Sequence, residues 1–422
     1  MTADDIHRRI DAVWRIESAR VIASLARIVR DVGIAEDLAQ DALVAALEQW
    51  PASGVPDNPG AWLTAAAKHR AIDRIRRNTL IAEKHAAISH EMDESIDIAA
   101  ALEAAIDDDI GDDRLRLVFV ACHPLLPTES RVALTLRLLG GLSTDEIARA
   151  FLVAEAAIAQ RIVRAKRTLA DANVPFEVPR GDSLTERLGS VLEVIYLVFN
   201  EGYSATSGED WMRPQLCEDA LRLGRVLAGL MPREPEVHGL IALMEIQASR
   251  AHARTASDGA PILLLEQDRS RWDRLLIRRG FTSLERAEKL GGADGVYALQ
   301  AAIAACHARA RSAGDTDWTR IAALYATLAE RMPSPIVELN RAVAISMAFG
   351  PAAGLAIVDA LAGNRALANY HLLPAVRGDL LAKLERNDEA RTEFERAAAM
   401  TKNERERALL LDRAAAVGKI AS

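Results

Sequence analysis

The sequence predicts an all-α protein. Half of its 422 residues are hydrophobic, alanine and leucine dominate them, and aromatic residues make up only 4 %. Alternating β-branched runs are few, and apolar residues recur at three- and four-residue spacing in segment after segment. The length suffices for two to three domains, each with its own core. A net charge of −8 excludes a chain that coats nucleic acid indiscriminately, so any DNA contact must come from local basic patches. Cys122, Cys217 and Cys306 are odd in number and lack metal-like spacing, which predicts reduced structural thiols. The N-terminus has no apolar signal core and no apolar run is long enough to span a membrane, so a cytoplasmic protein with no membrane partner is expected. Nothing calls for a metal or cofactor.

The first helix is expected from Trp14 to Val32, with Val13, Ile16, Val21, Leu25 and Ile28 as apolar positions and Gly33 as its breaker. A second runs from Ala35 to Trp50. Its apolar stripe is Ala39, Leu43, Ala46, Leu47 and Trp50, and a separate polar stripe holds Asp37, Asp41 and Glu48, with Gln40 beside it. A breaker-rich turn, Pro51 to Pro59, leads into a third helix packed through Trp62, Leu63, Ile72 and Ile75. Arg70, Arg74 and Arg77 form a cationic stripe on it, with Lys68 and Arg76 adding charge. Such a stripe can track a nucleic-acid backbone, while Trp62 reads as core rather than as a base-stacking ring.

Between Gly141 and Leu169 the pattern is two helices joined by a short turn. Ser143 and Glu146 form a capping box, and Ile147, Ala148 and Phe151 give the first helix a buried side. The second carries Ile158, Ile162, Ala165 and Leu169 on one stripe and Gln160, Arg161, Arg164 and Arg167 opposite, with Lys166 nearby. Forked cations on a packed helix suit a DNA major groove, where arginine holds phosphates or guanine and glutamine reads adenine. A solvated basic helix is the plain alternative.

Taken together, the acidic A-E-D-L-A-Q-D helix, the N-P-x-A-W-L segment, the A-I-D-R-I-R-R helix and the arginine-rich helix-turn-helix resemble the extracytoplasmic-function group of sigma-70-type transcription initiation factors. The resemblance covers roughly the first 170 residues. It implies that Glu36, Asp37, Gln40 and Asp41 bind core RNA polymerase. It further implies that the segment from Val55 to Arg77, with Trp62, Lys68, Arg70, Arg74, Arg76 and Arg77, holds the −10 element of promoter DNA. Glu155, Gln160, Arg161, Arg164, Lys166 and Arg167 would then sit at the −35 element. The chemistry agrees, because melted DNA needs cations plus a pocket for a flipped base.

The implied domains are region 2 at residues 1–80, an acidic linker at 81–113 and region 4 at 114–175. The linker's like charges, among them Asp107, Asp108, Asp109, Asp112 and Asp113, keep it extended or loosely helical. His123 reads as a structural or capping residue. One departure from the family concerns the start of the recognition helix, where relatives place hydroxyl residues and this chain has Glu155-Ala156-Ala157. Alanine cannot cap a helix or bond a phosphate.

A proline-glycine boundary, Asn173 to Asp182, precedes a helical region expected over residues 185–422. Gly378, Ala390, Phe394 and Ala397 match the spacing of a tetratricopeptide repeat, with a weaker copy at Ala342, Gly354, Val358 and Leu361. Stacked helix pairs of an α-solenoid follow from this pattern. Two stretches do not fit it: one holds Asn200, Glu201 and Tyr203, the other Glu266, Asp268 and Arg271. They read as a ligand pocket or as a structural contact, the latter preferred. The whole chain resembles a branch of these factors with a long C-terminal extension that controls activity in cis. The expectation is a promoter-specific sigma factor with no chemistry of its own. A peptide-binding scaffold with a DNA-tethering N-terminal half is the alternative.

Overall fold

In the computed structural model the described residues are 3–85, 110–151, 153–204, 207–208, 212–256 and 260–420. They are almost entirely helical and divide into two compact units, residues 1–195 and 196–422.

The first unit contains α1 (Ala3–Val29), α2 (Val32–Ser53), α3 (Pro59–His85), α4 (Ile110–Ala121), α5 (Thr128–Leu138), α6 (Thr144–Phe151) and α7 (Glu155–Asp171). The break between α1 and α2 is not at Gly33, which lies inside α2. It falls at Arg30, whose φ is 55°, and Asp31, whose carboxylate accepts the Ile34 N–H at 2.8 Å. A capping carboxylate fixes a helix start more firmly than a glycine placed one residue further on. Within α2, Trp50 is fully enclosed and meets Trp62 of α3 edge-on, with ring centroids 5.2 Å apart.

The capping box at α6 forms as expected. The Ser143 N–H donates to Glu146 Oε2 at 2.8 Å, and the Glu146 N–H donates to Ser143 Oγ at 3.1 Å. Ile158, Ile162, Ala165 and Leu169 bury the inner side of α7 against α5 and α6. His123 accepts the Leu125 N–H on Nδ1 at 3.1 Å and so closes the turn after α4.

Two boundaries differ from the expected ones. Asp113, placed in the linker, belongs to α4, where it is buried and receives Arg27 at 2.9 Å and Arg116 at 2.6 Å. Helix α8 (Asp182–Tyr203), expected to open the extension, belongs to the first unit as far as Ile195. Its Arg187 donates to the carbonyl of Phe119 at 2.8 Å and its Ser190 to that of Cys122 at 2.6 Å. Those carbonyls lie at the end of α4, where a helix leaves acceptors without intrahelical partners. Polar side chains on α8 satisfy them.

The second unit continues through α9 (Pro214–Leu230), α10 (Pro235–Ala248), α11 (Arg274–Lys289), α12 (Val296–Arg309), α13 (Trp318–Arg331), α14 (Pro335–Phe349), α15 (Pro351–Leu361), α16 (Leu372–Lys383), α17 (Asn387–Met400) and α18 (Glu404–Ile420). Successive helices pack as neighbours. The small residues of the repeat set that packing: a Cβ on Gly378 would stand 3.0 Å from the Phe394 ring, and one on Gly354 would stand 2.7 Å from the Ala342 carbonyl oxygen. Ala390, Phe394 and Ala397 are enclosed in the same core cluster. All three cysteines are free and buried. Among the described residues, no helix is long and apolar enough to cross a membrane.

Candidate nucleic-acid interface

The outer face of α7 presents Glu155, Gln160, Arg164 and Arg167 to solvent, with Arg161 half-buried. Arg161 reaches Glu129 at 3.3 Å and Arg167 reaches Asp171 at 3.4 Å. Exposed pairs of this kind are worth little and exchange readily for phosphate. Val163 stands on the same face, 63 % exposed, where an apolar group suits a thymine methyl. Sequence reasoning passed over it, although it lies off the buried stripe. Ala154 occupies the N-cap and offers no side-chain bond, so the first N–H groups of α7 are free of a capping hydroxyl.

Lys166 does not share that face. Its ammonium lies against the carboxylate of Glu36 on α2 and 3.9 Å from Asp37 Oδ1. Glu36 is only 2 % exposed, and Arg137 of α5 donates to its Oε1 through Nε at 2.6 Å. Gln40 donates to the same carboxylate one helical turn on. Of the four residues in the acidic set, Glu36 is therefore enclosed, Gln40 half-buried, and Asp37 and Asp41 exposed.

A second contact joins the same two groups of helices. Arg15 of α1 donates to Glu146 Oε1, the carboxylate oxygen that the capping box leaves open. Gly141, at φ +70°, permits the approach, since a Cβ there would stand 2.9 Å from Ser18 Oγ and 3.2 Å from Arg15 Cα.

On α3, Lys68 is half-buried. Burial and the neighbouring Arg27 lower its pKa, and Asp113 opposes them. Arg70 donates to the backbone carbonyl of Asp41, tying the cationic stripe to the acidic helix. The side chains of Arg74, Arg76 and Arg77 lie outside the described residues.

In the second unit, Glu201 is buried against Arg213. Asp268 accepts the Ser270 N–H at 2.9 Å and closes its own turn, while Glu266 and Arg271 are exposed. Tyr203 stacks on Phe199 with centroids 5.6 Å apart.

Three stretches match known families. Residues 15–81 match Sigma-70 region 2, residues 116–169 match Sigma-70, region 4, and residues 187–288 match a family of unknown function, DUF6596. An uncharacterized protein of Rhizobium meliloti (strain 1021) is 44 % identical over 393 residues, which is 93 % of this chain and 92 % of that protein. The probable ECF RNA polymerase sigma factor SigI of Mycobacterium tuberculosis is 27 % identical over 175 residues, 41 % of this chain and 58 % of its own length. No solved structure matches the chain.

Proposed function

Because the chain belongs to the family of that Rhizobium meliloti protein and is, through regions 2 and 4, an ECF-like sigma factor of the sigma-70 type, we propose that it binds core RNA polymerase and starts transcription at promoters of defined sequence. The observation that carries this reading is a pair of oppositely charged exposed groups in one unit: the carboxylates of Asp37 and Asp41 on α2, and the guanidinium groups of Arg164 and Arg167 on α7. The first suits a basic protein surface and the second a DNA backbone. In this reading residues 1–80 take the polymerase and the −10 element, residues 114–175 take the −35 element, and residues 81–113 join them. Lys68 and Arg70, with Arg74, Arg76 and Arg77, then serve the −10 phosphates, and Trp62 holds their helix on Trp50.

The contact of Lys166 and Arg137 with Glu36 makes this arrangement a resting form. The two promoter elements lie about 25 base pairs apart, roughly 85 Å at about 3.4 Å per step. A compact unit of 195 residues has a radius of gyration of only about 16 Å. With α7 held on α2, both elements are out of simultaneous reach. Binding to polymerase therefore separates the helices, releases Glu36 to join Asp37 and Asp41, and frees Lys166 for DNA. Residues 185–422 adjust that balance in cis.

The test is association of the purified chain with core polymerase. Asp37→Ala with Asp41→Ala is expected to weaken it by at least about tenfold, about 1.4 kcal/mol. Undiminished association would remove the acidic face from the account.

A further inference from the structure

Helix α11 carries its charges in an order that works against its own stability. Its inner side, Ile277, Gly280, Leu284 and Ala287, is buried. Gly280 lies so close to α10 that a Cβ there would stand 2.5 Å from Ile246 Cγ1, which fixes the helix on the unit. The opposite side is exposed and opens with Arg274, Arg278 and Arg279. Arg274 and Arg278 stand one helical turn apart, where like charges repel. Arg274 also lies in the first turn, where the helix macrodipole disfavours a cation.

No carboxylate answers these charges. None of the three arginines has an ion pair among the described residues, and the outer face of α11 holds no acid before Glu285, whose partner is Lys289 at 4.0 Å. Asp273, just ahead of the helix, is engaged as its cap by the N–H groups of Leu275 at 2.7 Å and Leu276 at 3.0 Å. Other cations on this unit are matched: Arg331 has Asp294, Arg341 has Glu338, and Arg377 has Asp359 and Glu393. Arg309 of α12 brings a further guanidinium beside the face, 5.0 Å from the centroid of the half-buried Phe281 ring. A rigid helix that concentrates unpaired guanidinium groups at a cost to itself is shaped for an anion outside the molecule.

We propose that the outer face of α11 is a docking surface for the phosphate backbone of duplex DNA, bound without regard to base sequence. Duplex DNA presents one negative charge per about 1.7 Å of its axis, and a guanidinium fork matches a phosphate with two parallel hydrogen bonds. The face offers donors and a single apolar group, Leu275, which is 50 % exposed and can pack on a sugar. A membrane surface fits less well, because α11 commits its other large aliphatic side chains inward and leaves only Leu275 to insert. An acidic protein segment would first have to be ordered, whereas a duplex is already stiff. This goes beyond the promoter contacts of the first unit and does not depend on them, because it is measured on the free chain with DNA of scrambled sequence.

The experiment follows the anisotropy of a labelled scrambled duplex titrated with the full-length chain at several sodium chloride concentrations. Arg274→Gln, Arg278→Gln and Arg279→Gln are combined in one variant. Losing three phosphate contacts is expected to lower the slope of log affinity against log salt by about 2.7, at about 0.9 for each, and to weaken binding at least about tenfold at low salt. The melting temperature of this variant is expected to be unchanged or higher, since the substitutions relieve repulsion. Lysine at the same three positions is expected to keep most of the slope. Glu285→Gln, which removes a carboxylate from the face, is expected to tighten binding, a result that misfolding does not imitate. Equal affinity and equal slope in the intact chain and the triple glutamine variant would overturn the proposal, as would an intact chain that fails to bind the duplex at the lowest salt. So would retained duplex binding with lost binding to polyglutamate or to phosphatidylserine vesicles, which assigns the face to an acidic protein or a membrane.

Discussion

Glu36 and Arg137 meet through a 2.6 Å hydrogen bond although 101 positions separate them in the chain. Lys166 completes the contact, so one nearly enclosed carboxylate holds a cation from α5 and another from α7. Breaking one partner of a buried pair leaves the other uncompensated. Arg137→Ala is expected to lower the stability of the first unit by about 2 kcal/mol, short of the full loss because Lys166 remains. Urea denaturation measures it. The same substitution weakens the resting form and is expected to raise the apparent affinity for core polymerase.

Arg164 is exposed and has no ion-pair partner among the described residues, so its replacement tests DNA contact without disturbing packing. Arg164→Ala is expected to cost about 1–3 kcal/mol at a promoter if it reads a base, with relaxed sequence preference. If it holds a phosphate instead, the salt slope falls by about 1 and all sequences weaken alike. Promoter binding by the polymerase complex at several salt concentrations separates the two.

The capping box of α6 gives a local test. Ser143→Ala removes the acceptor for the Glu146 N–H and is expected to destabilise the helix-turn-helix by about 1 kcal/mol. Glu146 also receives Arg15, so the loss extends to the contact with α1. Thermal unfolding of the single and Arg15→Ala double variants reads that coupling.

Much of this was legible in the sequence, for identifiable reasons. The stripe Ile158, Ile162, Ala165 and Leu169 and the set Gly378, Ala390, Phe394 and Ala397 repeat at helical spacing and all are buried, Gly378 where a Cβ would stand 3.0 Å from the Phe394 ring. The burial of Glu36 was not legible. In sequence it is one more acid beside Asp37, and its partners come from other helices. Arg187 and Ser190 moved a boundary past a proline-glycine segment that looks like a linker, since they answer carbonyls of a helix that ends near Cys122.

At the repeat, Gly378→Val is expected to cost about 1–3 kcal/mol, because the Phe394 ring and the Ala390 carbonyl leave no space for it. Phe394→Ala is expected to cost about 3–5 kcal/mol through the cavity it opens. Chemical denaturation checks both.

His307 makes stability depend on pH. Burial first, then Arg250 and Arg269, lower its pKa from 6.5 to about 4. The unfolded chain takes up this proton near pH 6.5 while the folded chain refuses it until about pH 4, so the contribution is whole above 6.5 and is lost as pH falls toward 4. The loss is about 3 kcal/mol. His307→Gln is expected to remove that component from stability curves taken across this range.

Run-off transcription with purified core RNA polymerase decides whether the chain works as a sigma factor. The chain is expected to confer initiation from a defined start site on a subset of promoter templates, and Asp37→Ala with Asp41→Ala to abolish it while the fold is retained. Core polymerase that gains no defined start site from the intact chain on any template would contradict it.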